Sequence, residues 1–122
     1  MNTTTDYADR MFRAYVECAL WADLRDENGE SMDDLYGPND LAPETLESMR
    51  ADVLDFLEGA GTDLDTMDAE QAGHDFWLTR NRHGAGFWDR GLGELGERLT
   101  AMAHPYGESF LYVGDDGLVY VS

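Results

Sequence analysis

The fold turns on one stretch, His74-Asp75-Phe76-Trp77-Leu78-Thr79-Arg80-Asn81-Arg82-His83-Gly84-Ala85-Gly86-Phe87-Trp88-Asp89-Arg90. Two aromatic runs, 75–79 and 86–89, flank a polar connector, 80–85, that contains glycine. β-prone residues on either side of a short Gly-containing link predict a β-hairpin. Helix is the rival reading over 74–80, because an apolar segment of about six residues does not settle its own period.

Toward the C-terminus, Leu92, Leu95, Leu99 and Met102 recur at helical spacing as far as Pro105, with Gly93 and Gly96 weakening the helix. Phe110–Val113 and Leu118–Val121 then flank Gly114-Asp115-Asp116-Gly117, which predicts another hairpin. Toward the N-terminus, Pro43 at a first helical position opens a helix over Pro43–Glu58, stopped by Gly59 and Gly61. A short helical turn is expected at Asp68–Ala72, finishing at Gly73. Before Pro43 lies an acidic, aperiodic loop of nearly twenty residues with Gly29, Gly37 and Pro38. Ala8, Met11, Phe12, Tyr15, Cys18, Ala19 and Ala22 define a first helix, capped by Thr5 or Asp6 and ending near Leu24. The order is therefore α-α-β-β-α-β-β. It predicts an α+β single domain spanning 1–122, with a mainly antiparallel four-stranded sheet and helices packed on one face. An acidic helical half, about 1–73, precedes an aromatic half, about 74–122.

A chain of 122 residues with 43% apolar and 11% aromatic residues has enough material for one core despite a net charge of −18. A single cysteine, Cys18, precludes an internal disulfide and reads as a small core residue within the first helix. No run is long and apolar enough to span a membrane, and the N-terminus lacks a basic and apolar leader pattern. A cytoplasmic protein is the expectation.

The charge is distributed unevenly. Residues 23–70 hold sixteen acids against Arg25 and Arg50, whereas 71–98 balance four acids with four Arg, and there is no Lys anywhere. A chain with this balance repels phosphates and anionic membrane surfaces, so direct nucleic-acid and membrane partners are not expected. A basic partner is. On the Pro43–Glu58 helix, Leu46, Met49, Val53, Phe56 and Leu57 fall on one side, while Glu44, Glu47, Asp52, Asp55 and Glu58 fall on the other. The preceding loop adds Asp26, Glu27, Glu30, Asp33 and Asp34. Glu44 to Glu58 cover about 21 Å of helix axis, a spacing that can be set against DNA phosphates repeating at about 3.4 Å per strand. Such an array would suit the cationic groove of a nucleic-acid-binding protein. The competing reading is a solvated face kept acidic for solubility or high salt, but either would spread acids evenly along the chain.

A second candidate site is the connector itself. Arg80 and Arg82 would hold an anionic ligand, with Asn81, His83 and the backbone amides of Gly84 and Gly86 beside them, and His83–Asp89 is a conceivable acid/base pair. The pattern lacks the helix that a dinucleotide-binding glycine motif requires, and nothing supplies an activated nucleophile, so no catalytic residue is assigned. Cys18, His74, His83 and His104 lack zinc-ligand spacing. Asp63, Asp65 and Asp68 begin like a calcium loop, but the glycine and closing Glu are missing. Neither cofactor nor metal is expected.

The string AGHDFWLTRNRHGAGFWDRGLG (72–93), with AYVECALW (14–21), LAPETL (41–46) and LYVGDDGLVY (111–120), resembles a group of small acidic bacteriophage and prophage proteins. The likeness runs from Tyr15 to Tyr120. It implies a phage origin and assigns no catalytic residue. Small acidic phage proteins invite the analogy of DNA mimics that disarm restriction or CRISPR enzymes, which points to a basic host protein as partner. Yet the string most characteristic of the group is the neutral aromatic segment. If that segment is core, the acidic surface remains the functional candidate; if it is a site, function lies there.

Overall fold

The structure is a computed structural model and describes residues 3–24, 28, 31–32, 35–83 and 86–122. Four helices, α1 (Thr3–Asp23), α2 (Pro43–Ala60), α3 (Ala69–Arg80) and α4 (Glu94–Ala103), precede two strands, β1 (Leu111–Val113) and β2 (Val119–Val121). Short 3-10 turns lie at Pro38–Asp40, Gly61–Leu64, Phe87–Asp89 and His104–Tyr106. The strands form an antiparallel pair with Tyr112 opposite Tyr120. Leu41 adds a parallel bridge to Val119. Among the described residues no four-stranded sheet exists: the protein is α+β, but mostly helical, with a single two-stranded sheet.

The correction falls on the deciding stretch. Residues 75–79 are the second half of α3, and Phe87–Asp89 is a 3-10 turn, so the expected first hairpin is absent. The reason is visible once the segment is read back to Ala69. Ala69, Ala72, Gly73, Phe76 and Arg80 follow helical spacing and are all buried. Gly73, expected to end a short turn, instead lets α3 continue against α1. A Cβ there would collide with the Met11 carbonyl and lie 2.8 Å from the Tyr15 backbone nitrogen, so only glycine permits this approach. Both sides of α3 are covered, which removes the polar face that would have announced a helix.

α3 ends as a Schellman motif. The His83 amide donates to the Leu78 carbonyl, and the Arg82 amide to that of Thr79. Arg82 takes the left-handed position at φ 59°. The order is four helices and then two strands, not α-α-β-β-α-β-β, and α1 starts at Thr3, ahead of the expected cap at Thr5 or Asp6. α2 runs to Ala60, and α4 and the C-terminal hairpin lie where the pattern put them, while the expected acidic loop falls largely outside the described residues.

The core is aromatic. Phe56 stacks on Phe76 at 4.2 Å and on Phe87 at 5.7 Å, while Tyr15 meets Trp77 edge-on at 5.2 Å. Trp77 is fully buried, and Cys18 is a buried core residue on α1. No helix among the described residues is long and apolar enough to cross a membrane.

Candidate functional site

α2 presents the acidic surface. Thr45, Met49, Val53, Phe56 and Ala60 are buried, and Glu44, Glu47, Asp55 and Glu58 are exposed. At 100° per residue those four carboxylates fall within a sector of about 80° on the side away from the core. Buried side chains every third or fourth residue fix the helix, and hence the stripe, to the body of the protein.

Asp52 does not belong to that stripe. Its carboxylate turns inward to Arg80 at 2.7 Å, with the Arg80 side chain only 8% exposed. Asp55 accepts a hydrogen bond from the Tyr106 hydroxyl. Burial, reinforced by Asp55, raises the Tyr106 phenol above its ordinary range. Asp26, Glu27, Glu30, Asp33 and Asp34 lie outside the described residues.

Most of the described arginines pair with carboxylates outside the stripe. Arg10 pairs with Asp68 and Glu70, Arg50 with Asp9, Arg90 with Asp75 and Arg98 with Asp63. The Arg10 hydrogen bonds hold the Glu70 carboxyl down at about 2. Among the described residues no ion pair reaches Glu44, Glu47 or Glu58. Asp63 and Asp68, which begin the calcium-like sequence, are in ion pairs with Arg98 and Arg10. Among the described residues no group of three His, Cys, Asp or Glu gathers as a metal would need.

The aromatic connector is held together as core and brace. The Arg80 guanidinium donates to the Tyr15 hydroxyl, Asp52 and the carbonyls of Gly107 and Tyr106, all within 2.9 Å. Burial opposes its charge, but contacts to Tyr15 and Asp52 outweigh that and raise its pKa. Asn81 donates to the Trp77 carbonyl and accepts from the Ser109 amide. Thr79 Oγ1 accepts from the Phe87 amide at 3.0 Å, which pins the chain after the loop back onto α3. Gly86 sits so close to Thr79 that a Cβ would strike its hydroxyl. Asp75, fully buried, accepts from Arg90 through both carboxylate oxygens.

Arg82, His83 and Asp89 are exposed, and Gly84 lies outside the described residues. Among the described residues the two arginines diverge: Arg80 points into the protein and Arg82 stands at the surface. Sequence reading had no signal for the Asp75–Arg90 pair or the Asn81–Ser109 bond, because both need tertiary contact. The outward face of the C-terminal hairpin was also missed. There the signal existed: aromatic and aliphatic residues alternate in Phe110-Leu111-Tyr112-Val113 and in Val119-Tyr120-Val121.

No protein-family model matches the chain, and no curated protein or solved structure is significantly similar to it.

Proposed function

We propose that this chain is a non-enzymatic, phage-type binding protein that inserts the carboxylate face of α2 into the basic nucleic-acid channel of a host protein, as an anti-restriction or anti-CRISPR inhibitor would. One observation carries the reading. Glu44, Glu47, Asp55 and Glu58 stand in one exposed stripe on a helix whose other side is locked in the core, so their spacing is held before any partner arrives. A preset array loses little conformational entropy on binding, which distinguishes it from charges on a floppy tail. Asp26, Glu27, Glu30, Asp33 and Asp34 would serve the same partner.

The aromatic string supports this division of labour. Arg80, Arg90, Thr79, Gly73 and Gly86 meet internal needs of the fold, so their prominence in the sequence does not require a ligand there. The alternative of an anionic-ligand or enzymatic site at Arg80–Asp89 would have to take Arg80 from four protein acceptors.

Affinity capture from host lysate, at low and at high salt, tests the proposal. A basic nucleic-acid-binding protein should be retained at low salt, released as salt rises, and displaced by duplex DNA. Reversing Glu44, Glu47, Asp55 and Glu58 to Arg should abolish capture while the far-ultraviolet circular dichroism stays unchanged. Retained capture by that folded variant would refute the reading.

A further inference from the structure

The outward face of the β1–β2 hairpin carries three aromatic rings in a row. Phe110 and Tyr112 lie 6.3 Å apart, and Tyr112 stacks on Tyr120 at 5.8 Å with an interplanar angle of 21°. Phe110 is 58% and Tyr112 46% exposed, although the strands' other face, with Leu111 and Val119, is buried. Beside the rings, the Gly114–Gly117 turn forms the wall of an open cleft of about 310 Å³ lined by Tyr112, Tyr120, Asp115 and Asp116.

This cleft is stiff. Asp116 accepts from the Tyr120 hydroxyl at 2.6 Å and from the Leu118 amide at 3.0 Å, so one carboxylate fixes both a ring and the turn. Those bonds keep the Asp116 carboxyl below its ordinary range, and the Tyr120 phenol is correspondingly raised to about 12. Glu44 is near enough to act on the same phenol. Asp115 is exposed and, among the described residues, no side chain is paired with it.

Exposed aromatic rows on strands commonly stack nucleic-acid bases, but a base arrives with a phosphate, and here the rings are bordered by carboxylates on a chain of net charge −18. A neutral apolar segment would cover the rings and strip water from Asp115 without replacing it. A cation meets both demands. Between the two basic side chains, a guanidinium is planar, stacks on aromatic faces and can grip a carboxylate through two parallel hydrogen bonds.

We propose that the Phe110–Tyr112–Tyr120 face is a docking platform for an arginine side chain of a basic protein partner, with Asp115 as its counter-charge. The platform does not rest on the α2 reading, since it uses different residues and a different kind of contact.

The test is a nuclear magnetic resonance titration of the intact chain with acetyl-Gly-Arg-Gly-amide and, separately, the same peptide carrying uncharged citrulline. At physiological salt the arginine peptide should saturably shift the ring resonances of Phe110, Tyr112 and Tyr120 and the amides of Gly114 and Gly117. The citrulline peptide should not. Tyr112→Ala and Asp115→Asn should each weaken binding by about fivefold. A chain reversed at Glu47, Asp55 and Glu58 should bind within about twofold of the parent, which separates failure here from failure of the α2 surface. Should Tyr112→Ala disturb the hairpin, Tyr112→Leu removes the π face while keeping side-chain bulk. No saturable shift at the hairpin up to about 50 mM peptide, an equal response to citrulline, or full affinity in both Tyr112 variants would overturn the platform.

Discussion

Arg80 illustrates how much one side chain organises. Its guanidinium joins α3 to Tyr15 on α1, Asp52 on α2 and the backbone around Gly107. Replacing it with Met would leave the Tyr15 hydroxyl and two carbonyls without a donor, and Asp52 without its counter-charge. The expected cost is about 3–5 kcal/mol, read from urea unfolding. Arg80→Lys should recover part of that, because a single ammonium cannot reach four divergent acceptors. Two residues on, the opposite sign is expected. Arg82 holds a left-handed conformation at φ 59° in the α3 C-terminal motif. Arg82→Gly should raise stability by about 0.5–1 kcal/mol, shifting the urea midpoint without changing the slope. A loss of stability would mean that the exposed Arg82 side chain contributes more than its backbone strain costs.

At the scale of elements, α3 shows why a short aromatic run misleads. Asp75–Thr79 has β-prone composition, yet Gly73 and Ala72 allow α3 to lie against α1 closely enough that Phe76 and Trp77 reach the core from a helix. Gly73→Ala sets two effects against each other. Alanine is the better helix former by about 1 kcal/mol, but the new methyl would meet α1 backbone, which cannot yield as a flexible side chain can. The collision should prevail, giving a net loss of about 1–3 kcal/mol in urea unfolding and a weaker near-ultraviolet signal from Trp77. α2 and the C-terminal hairpin were legible because each declares itself locally. α2 has Pro43 at its start and a clean division between apolar and acidic faces. The hairpin has Gly117 at φ 82° closing its turn, between two alternating runs. The candidate acidic stripe was legible on the same grounds, except at Asp52. That residue sits at the stripe's margin, and only the position of Arg80 shows that it turns inward.

The whole molecule carries its charge at a cost. With 26 acids and eight arginines, most of them already in ion pairs, the folded state concentrates repulsion that the unfolded chain dilutes. Screening should relieve it. Raising sodium chloride from about 0.01 to 0.5 M should therefore raise the thermal midpoint, even though it weakens the surface ion pairs. A falling midpoint would show that those pairs outweigh the net repulsion. Alkali should act in the other direction. Burial raises the Tyr7 phenol from 10.0 to about 12, hydrogen bonding to Asp116 does the same for Tyr120, and the phenols of Tyr15 and Tyr106 are raised as well. The folded state thus holds these protons more tightly than the unfolded chain does. The resulting stability is complete below pH 10.0 and is lost as pH climbs toward about 12. Ionisation of Tyr7, Tyr15, Tyr106 and Tyr120, followed by their ring resonances, and loss of circular dichroism should come together in that window; ionisation of those four well before unfolding would contradict it.

Taken by itself, the sequence determined the charge asymmetry, the acidic helix, the first and last helices and the final hairpin. Each follows from a period or a turn that neighbouring residues express among themselves. Tertiary structure alone decided the state of residues 74–90 and the fate of their arginines. A segment buried on both sides has no polar face to reveal its period, and an arginine's partner lies wherever the fold brings a carboxylate or a carbonyl within reach.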